Sequence, residues 1–162
     1  MRRRRRGALI TSVIVDDEIR QAGMITGIHH FGLTVRDADA SAAWYEEVLG
    51  FQRAGEFEAP DGARRKVFLR HDGLQVRLGL TQHRHGSQDP FDETRTGLDH
   101  LAFSVAGREE LEAWAERLSG AAVAHSAIAG ANSVPGAAVL VFRDPDNIQL
   151  ELFADPPGTG RR

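Results

Sequence analysis

The chain has 162 residues, of which 41% are hydrophobic, so it can form one domain with a buried core, and no apolar stretch is long enough to cross a membrane. It contains no cysteine, which excludes disulfides, thiolate metal sites and cysteine nucleophiles. The net charge is −3, but residues 2–6 are all arginine and the rest of the chain is acidic, which argues against nucleic acid as a partner.

The two ends of the chain differ in composition from its body. Strong periodicity begins only after Met24, so we expect residues 1–23 to form a flexible N-terminal extension. Residues 8–15 imitate the apolar part of a secretory signal, but three acidic residues follow at 16–18 without a clear cleavage site, which favours a cytoplasmic protein. Residues 155–162 are rich in proline, glycine and arginine, and a flexible tail is expected there.

The body of the chain contains an internal repeat. The stretch GIHHFGLTV at 27–35 returns as GLDHLAFSV at 97–105, so His30 corresponds to His100 at an offset of 70 residues, and Trp44 corresponds to Trp114. A fixed-period self-match predicts two copies of one structural unit. We expect a single α+β domain over residues 24–154, with module 1 at about 26–82, a linker at 83–96 and module 2 at about 97–154.

The pattern of each copy predicts a βαβββ unit. In module 1, strands are predicted at 28–35, 51–57, 66–70 and 74–81, with a helix that starts at Asp37 or Asp39 and ends before Gly50. In module 2, strands are predicted at 98–105, 122–128, 137–142 and 148–153, with a helix at 109–118. Aliphatic residues alternate with polar ones along the strands, so we expect helices on the aliphatic face and a cleft on the second face.

Three residues on the second face predict a metal site. His30, His100 and Glu151 share this face, and two imidazoles with one carboxylate can hold a divalent ion while leaving positions for water or substrate. Zn, Fe(II), Ni, Co and Mn all suit these ligands. By the same alternation His29 falls on the aliphatic face, which predicts a structural role for it.

Other polar residues of this face are expected to line a substrate cleft: Thr34, Gln75, Arg77 and Gln149. Arg77 is either an anchor for an anionic group or the partner of Glu151. Gln75 and Gln149 are either donors that orient a ligand or exposed strand residues. His83 shares the alternation of this face, so it is a candidate catalytic proton-transfer group or further ligand if the strand continues that far, and otherwise a surface histidine.

These motifs resemble the vicinal oxygen chelate superfamily, which includes glyoxalase I, extradiol dioxygenases, fosfomycin-modifying enzymes and bleomycin-binding proteins. The resemblance covers about residues 26–154 and rests on His30 in IHHFGLTVRD, on WY followed by VLGF at 44–51, on His100 in LDHLAFSV, and on DPD at 144–146 with Glu151. It implies that the two modules form an incomplete barrel around a metal-binding cleft, in a homodimer that acts on a small molecule.

The chain departs from each named member of that superfamily. Glyoxalase I has a carboxylate in the fourth strand of its first module, where this chain offers Arg77 or Gly79, depending on register. Fosfomycin thiol transferases carry a threonine where this chain has Gly32, and extradiol enzymes carry a tyrosine shortly before the glutamate, whereas Tyr45 is the only tyrosine here. Lyase, isomerase, thiol-transfer and ring-cleaving dioxygenase chemistry therefore stay open. The alternative is a metal-free binding protein of the bleomycin resistance type that sequesters an antibiotic or metabolite.

Overall fold

The structure, a computed structural model, describes residues 25–159. The predicted N-terminal extension lies outside the described residues. Within them the chain forms two successive βαβββ modules, and the predicted α+β fold class is confirmed. No helix between residues 25 and 159 is both long and apolar enough to cross a membrane.

Module 1 contains one helix and four strands. Its elements are β1 (His30–Thr34), α1 (Ala38–Leu49), β2 (Gln52–Glu58), β3 (Arg64–Arg70) and β4 (Arg77–His83). The sheet order is β1-β4-β3-β2, in which β1 and β4 are parallel and the other neighbours are antiparallel.

Module 2 repeats this topology. Its elements are β5 (Leu101–Val105), α2 (Arg108–Gly120), β6 (Ala129–Gly130), β7 (Ala138–Arg143) and β8 (Gln149–Ala154). The sheet order is β5-β8-β7-β6, again with the first pair parallel. The two sheets are separate and neither closes on itself, as an incomplete barrel requires.

The strand register decides which residue of module 1 corresponds to Glu151. Gly32 pairs with Gly79 in the first sheet, and Ala102, which lies 70 residues after Gly32, pairs with Glu151 in the second. Gly79 is therefore the counterpart of Glu151. A side chain there would meet the ring of Phe68, since an added Cβ would lie 3.7 Å from it. Module 1 thus supplies no carboxylate at this position.

The predicted place of Gln75 on the strand face is wrong. The strand was predicted to begin at residue 74, but it begins at Arg77. Gln75 lies exposed in a bend before it. A turn holds this segment outside the sheet, because the backbone N–H of Leu74 donates to the carbonyl of His71 and that of Gly73 donates to the His71 ring.

The strand predicted at 122–128 is also wrong. Only His125 forms an isolated bridge there, to Phe142, and the regular strand β6 is limited to two residues. Ser126 explains the interruption, because its hydroxyl rather than a backbone carbonyl accepts the hydrogen bond of the Val141 N–H. A side chain that takes the place of a backbone partner breaks the regular ladder.

One hydrophobic core joins the modules. It draws aliphatic side chains from both sheets, together with residues of α1 and α2. The sheet residues in this cluster are Leu33, Val67, Leu69, Leu78, Leu80, Leu140, Phe142, Leu150 and Leu152. Aromatic contacts cross between the modules, with ring centroids 5.9 Å apart for Phe51 and Phe103 and 6.4 Å apart for Trp44 and Phe142. The second face of each sheet therefore points away from this shared core.

Candidate metal centre

Two of the predicted ligands meet on the second face of module 2. His100 immediately precedes β5, and Ala102, two residues later, pairs with Glu151 on β8, so alternation puts both side chains on one face. Nε2 of His100 lies 3.6 Å from Oε2 of Glu151. The side chains are 39% and 16% exposed, respectively, so both can be reached from solvent.

Neighbouring side chains fix which atoms of this pair remain available. Asp99 Oδ1 lies 2.6 Å from Nδ1 of His100, and because a carboxylate only accepts, Nδ1 donates to it; in the neutral ring Nε2 then carries the lone pair that faces Glu151. Gln149 Nε2 donates to Oε1 of Glu151 at 3.2 Å and leaves Oε2 towards the histidine. Of the two roles expected for Gln149, this contact favours the donor, and its role towards a ligand stays a prediction.

The spacing of the pair fits an ion between the two free atoms. Metal–nitrogen and metal–oxygen bonds of about 2.0–2.2 Å put two ligand atoms of a tetrahedral ion about 3.4 Å apart. The observed 3.6 Å is close to this value. A neutral imidazole nitrogen with a carboxylate oxygen is also a donor set that divalent transition metals bind.

His30 is not brought to this pair within one chain. It begins β1 in the other sheet, and its Nδ1 lies 2.8 Å from Nδ1 of His29, with the two rings nearly perpendicular in a T-shaped contact. Across the part of the chain that the structure describes, no group of three or more His, Asp or Glu side chains is arranged to hold an ion. The prediction that His29 faces the helices is wrong, because β1 starts only at His30 and His29 is exposed.

The other predicted cleft residues lie in the first sheet. Arg77 pairs with His30 and Thr34 with Thr81, so both remain on the second face of module 1. Arg77 makes no side-chain ion pair within residues 25–159, so of its two predicted roles the pairing with Glu151 is not formed, and Glu151 approaches His100 instead. It borders a cavity of about 420 Å³ whose lining is mostly apolar, from Ile28, Phe31, Leu74, Val76 and Phe103.

His83 completes β4, as the strand continues far enough to include it. It pairs with Arg64 and borders a shallow surface cavity with Phe57, both in module 1. No contact joins it to the pair in module 2, and its predicted catalytic role stays a prediction.

Comparisons with known proteins agree with this architecture. Residues 27–152 match the family model of the Glyoxalase/Bleomycin resistance protein/Dioxygenase superfamily. The chain belongs to this superfamily. Among solved structures, a glyoxylase/bleomycin resistance protein/dioxygenase domain from Frankia sp. EAN1pec is 36% identical, with a TM-score of 0.74 over 83% of this chain and 96% of that one.

Two curated relatives within the superfamily come from Bacillus subtilis strain 168. Catechol-2,3-dioxygenase is 33% identical over 141 residues, which cover 82% of this chain and 45% of that protein. MhqA, whose name describes a ring-cleaving dioxygenase, is 27% identical over 137 residues, which cover 84% of this chain and 42% of that protein. The chain therefore spans less than half the length of the curated relatives it matches.

A buried polar cluster ties the modules of this superfamily member together. The turn between β7 and β8 carries Asp144 and Asp146, and both reach across to α1. Asp146 accepts hydrogen bonds from Arg36 and from the hydroxyl of Ser41, and Asp144 accepts one from the hydroxyl of Tyr45. Burial raises the pKa of Asp144 to about 6. Burial, together with this carboxylate, also raises the pKa of Tyr45 well above its ordinary value.

Sequence reasoning missed three residues around the pair, namely Glu93, Asp99 and Arg143. Asp99 has a local signal, since a carboxylate next to a candidate ligand histidine is a common way to orient the ring. Glu93 and Arg143 have none, because they are 50 residues apart in the chain and meet only through the path of the linker.

Proposed function

We propose that this protein is a metal-dependent enzyme in which His100 and Glu151 hold a divalent ion. The observation that carries this proposal is the 3.6 Å approach of His100 Nε2 to Glu151 Oε2, with the other atom of each side chain engaged by Asp99 and Gln149. A divalent cation between these two atoms accounts for their spacing and for their orientation.

The third ligand is His30 of a second copy of the chain, in a homodimer. Support comes from the grouping of side chains: among residues 25–159 no set of three His, Asp or Glu side chains is arranged to hold an ion, so His30 is not gathered with the pair inside one chain. The curated relatives are about twice as long as this chain, so two copies together match their length. A two-fold axis would bring module 1 of one copy against module 2 of the other and complete two equal sites.

The names of the curated relatives favour ring-cleaving dioxygenation of a small aromatic substrate with neighbouring hydroxyl groups. A bound ion would supply a Lewis acid to which two adjacent substrate oxygens bind. The chain's own contribution is to fix the ligand atoms through Asp99 and Gln149. Tyr45 takes no part in the reaction, because it is buried and its hydroxyl donates a hydrogen bond to Asp144.

Metal analysis of protein purified without chelator, followed by anaerobic titration with Fe(II), Mn(II) and Zn(II), tests this proposal. His100→Ala and Glu151→Gln should each abolish stoichiometric binding. The exposed linker residue His85 and the exposed helix residue Glu109 supply matched controls, and His85→Ala and Glu109→Gln should bind as the unmodified protein does. Catechols are then the first substrates to assay with the loaded protein.

A metal-free binding protein is the second candidate. The cavity beside Arg77 favours it, because one unpaired cation among apolar side chains suits a small amphipathic anion. If the folded protein shows no tight site for any of the three ions, the metal-free binding function replaces the enzyme proposal.

A further inference from the structure

A chain of polar side chains runs from the linker to Glu151. Glu93, in the linker, forms a two-point ion pair with Arg143 at the end of β7, with Nη2–Oε1 at 2.6 Å and Nη1–Oε2 at 3.0 Å. Arg143 Nη2 also donates to Oε1 of Gln149 at 3.2 Å, and Gln149 Nε2 donates to Oε1 of Glu151 at 3.2 Å. Four side chains are thus joined in one line.

The chemistry of the groups permits only one orientation of this line. A guanidinium has donors alone, so the amide oxygen of Gln149 must face Arg143 and its NH2 group must face Glu151. The amide therefore cannot flip without loss of both hydrogen bonds. As a result Oε1 of Glu151 is occupied and Oε2 remains directed at His100.

The strands and the linker hold the members in register. Arg143 and Gln149 are direct partners in the β7–β8 pair, and Gln149 and Glu151 lie two residues apart on the same face. The linker is anchored beside them, since the backbone N–H of Phe91 donates to the carbonyl of Asp146 and the side chain of Asn147 donates to the carbonyl of Phe91, both at 2.8 Å.

Partial burial separates this line from an ordinary surface ion pair. Arg143 is 35% exposed and Glu93 is 33% exposed. A two-point arginine–carboxylate pair in such surroundings restricts both side chains more than a solvated contact does. The hydrogen bonds from Arg143 lower the pKa of Glu93 to about 2, which favours the charged form that the ion pair needs.

We propose that the linker residue Glu93 positions the Glu151 carboxylate as a metal ligand, acting through Arg143 and Gln149. The inference rests on the proposed function, because it assigns these three residues to the ion held by His100 and Glu151. They are positioning residues, and their effect is on metal affinity. The conformation of the linker is then coupled to the occupancy of the site.

The test measures the Kd for Mn(II) in full-length variants, together with the electron paramagnetic resonance spectrum of the bound ion. Gln149→Met and Arg143→Met should raise the Kd by about 10-fold and change the spectrum, because positioning residues around metal ligands typically contribute 10–100-fold in affinity. Arg143→Lys, which keeps the charge but not the two-point geometry, should be intermediate. Glu93→Gln should shift affinity in the same direction by a smaller factor.

Arg53 supplies the matched control. It is 33% exposed and pairs with Asp39, Glu46 and Glu56 in module 1, so Arg53→Met removes a comparable ion-pair arginine away from the site. Mn(II) affinity should be unchanged in this variant, and an equal loss there would overturn the inference. Should Arg143→Met lower the melting temperature strongly, the linker variant Glu93→Gln decides the matter.

The outcomes separate the two proposals. Unmodified protein that binds Mn(II) while Gln149→Met, Arg143→Met and Glu93→Gln bind it equally well overturns the positioning role alone. Unmodified protein that binds none of Fe(II), Mn(II) and Zn(II) overturns both the positioning role and the proposed function.

Discussion

At the scale of single residues, Asp144 combines burial with a full set of hydrogen bonds. Its Oδ1 accepts from the backbone N–H groups of Asp146 at 2.9 Å and Ile148 at 2.8 Å, and its Oδ2 accepts from the hydroxyl of Tyr45 at 3.0 Å. These bonds favour the charged form, but burial and the nearby Asp146 oppose it, and burial raises the pKa of Asp144 to about 6. This residue should therefore make stability depend on pH.

The sign of the dependence follows from proton binding. Between about pH 4 and pH 6 the folded protein retains a proton on Asp144 that the unfolded chain releases, so the free energy of unfolding falls as pH rises through this range. The difference should be on the order of 2 kcal/mol. Asp144→Asn carries no such proton and should flatten the slope, as measured by urea unfolding at successive pH values.

The exposed turn residue Asp72 provides the comparison. Asp72→Asn should retain the slope of the unmodified protein. Identical slopes in the unmodified protein and in Asp144→Asn would show that Asp144 does not titrate in this range.

The sequence predicted which candidate residues share a face better than it predicted their environment. Alternation along β8 and the motif around His100 predicted His100 and Glu151 on one face, as the register has them, and Gln149 was expected either as an orienting donor or as an exposed strand residue. The ion pair of Glu93 with Arg143 depends on the path of a 17-residue connection between β4 and β5, which has no periodicity to read. Local pattern carries no information about such contacts.

At the scale of elements, the two helices begin differently. Asp37 caps α1, since its side chain accepts hydrogen bonds from the backbone N–H groups of Asp39 and Ala40, as the sequence predicted. At the start of α2, Gly107 has no side chain to do this, although Glu110 reaches back to the N–H of Ala106. Glu110 thus reaches one residue before the N-cap, and the second helix has no side-chain cap at Gly107.

Gly107→Ser should supply the missing N-cap side chain of α2 and stabilise the protein. The backbone of Gly107 is extended and nothing lies within 4 Å of an added Cβ, so a serine fits without strain. We expect a gain of about 0.5–1 kcal/mol from the new hydrogen bond and from reduced freedom of the unfolded chain. The midpoint of urea unfolding measures it, and Gly107→Ala, which lacks the hydroxyl, should show no comparable gain.

Helices were easier to predict than strands for a physical reason. Caps and the 3.6-residue period mark a helix locally, and α1 ends at Gly50 with φ of 75° as expected. A strand shifted by two residues keeps the same alternation, so the sequence alone could not separate Gln75 from Arg77 as the first face residue of β4. Only pairing with β1 decides that register.

At the scale of the whole molecule, the repeat predicted two modules but not how they pack. The aliphatic faces share one core, and the cluster of Arg36, Ser41 and Tyr45 with Asp144 and Asp146 holds α1 against the second module. Among residues 25–159, His30 is not grouped with His100 and Glu151 in an arrangement that could hold an ion. In the dimer proposed above, module 1 of each copy pairs with module 2 of the other and supplies the missing His30.

Mixing variants tests that arrangement directly. His30→Ala and Glu151→Ala should each lack the metal site as pure proteins. When the two are unfolded together and refolded, half of the dimers combine one chain of each kind, and each mixed dimer has one intact site and one doubly altered site. Stoichiometric Mn(II) binding should therefore return to about a quarter of all sites.

Mixing His100→Ala with Glu151→Ala should restore nothing, because both ligands come from the same module of the same copy. Absence of recovery in the first mixture, with the dimers shown by mass to have exchanged, would mean that His30 serves its own chain or no metal at all.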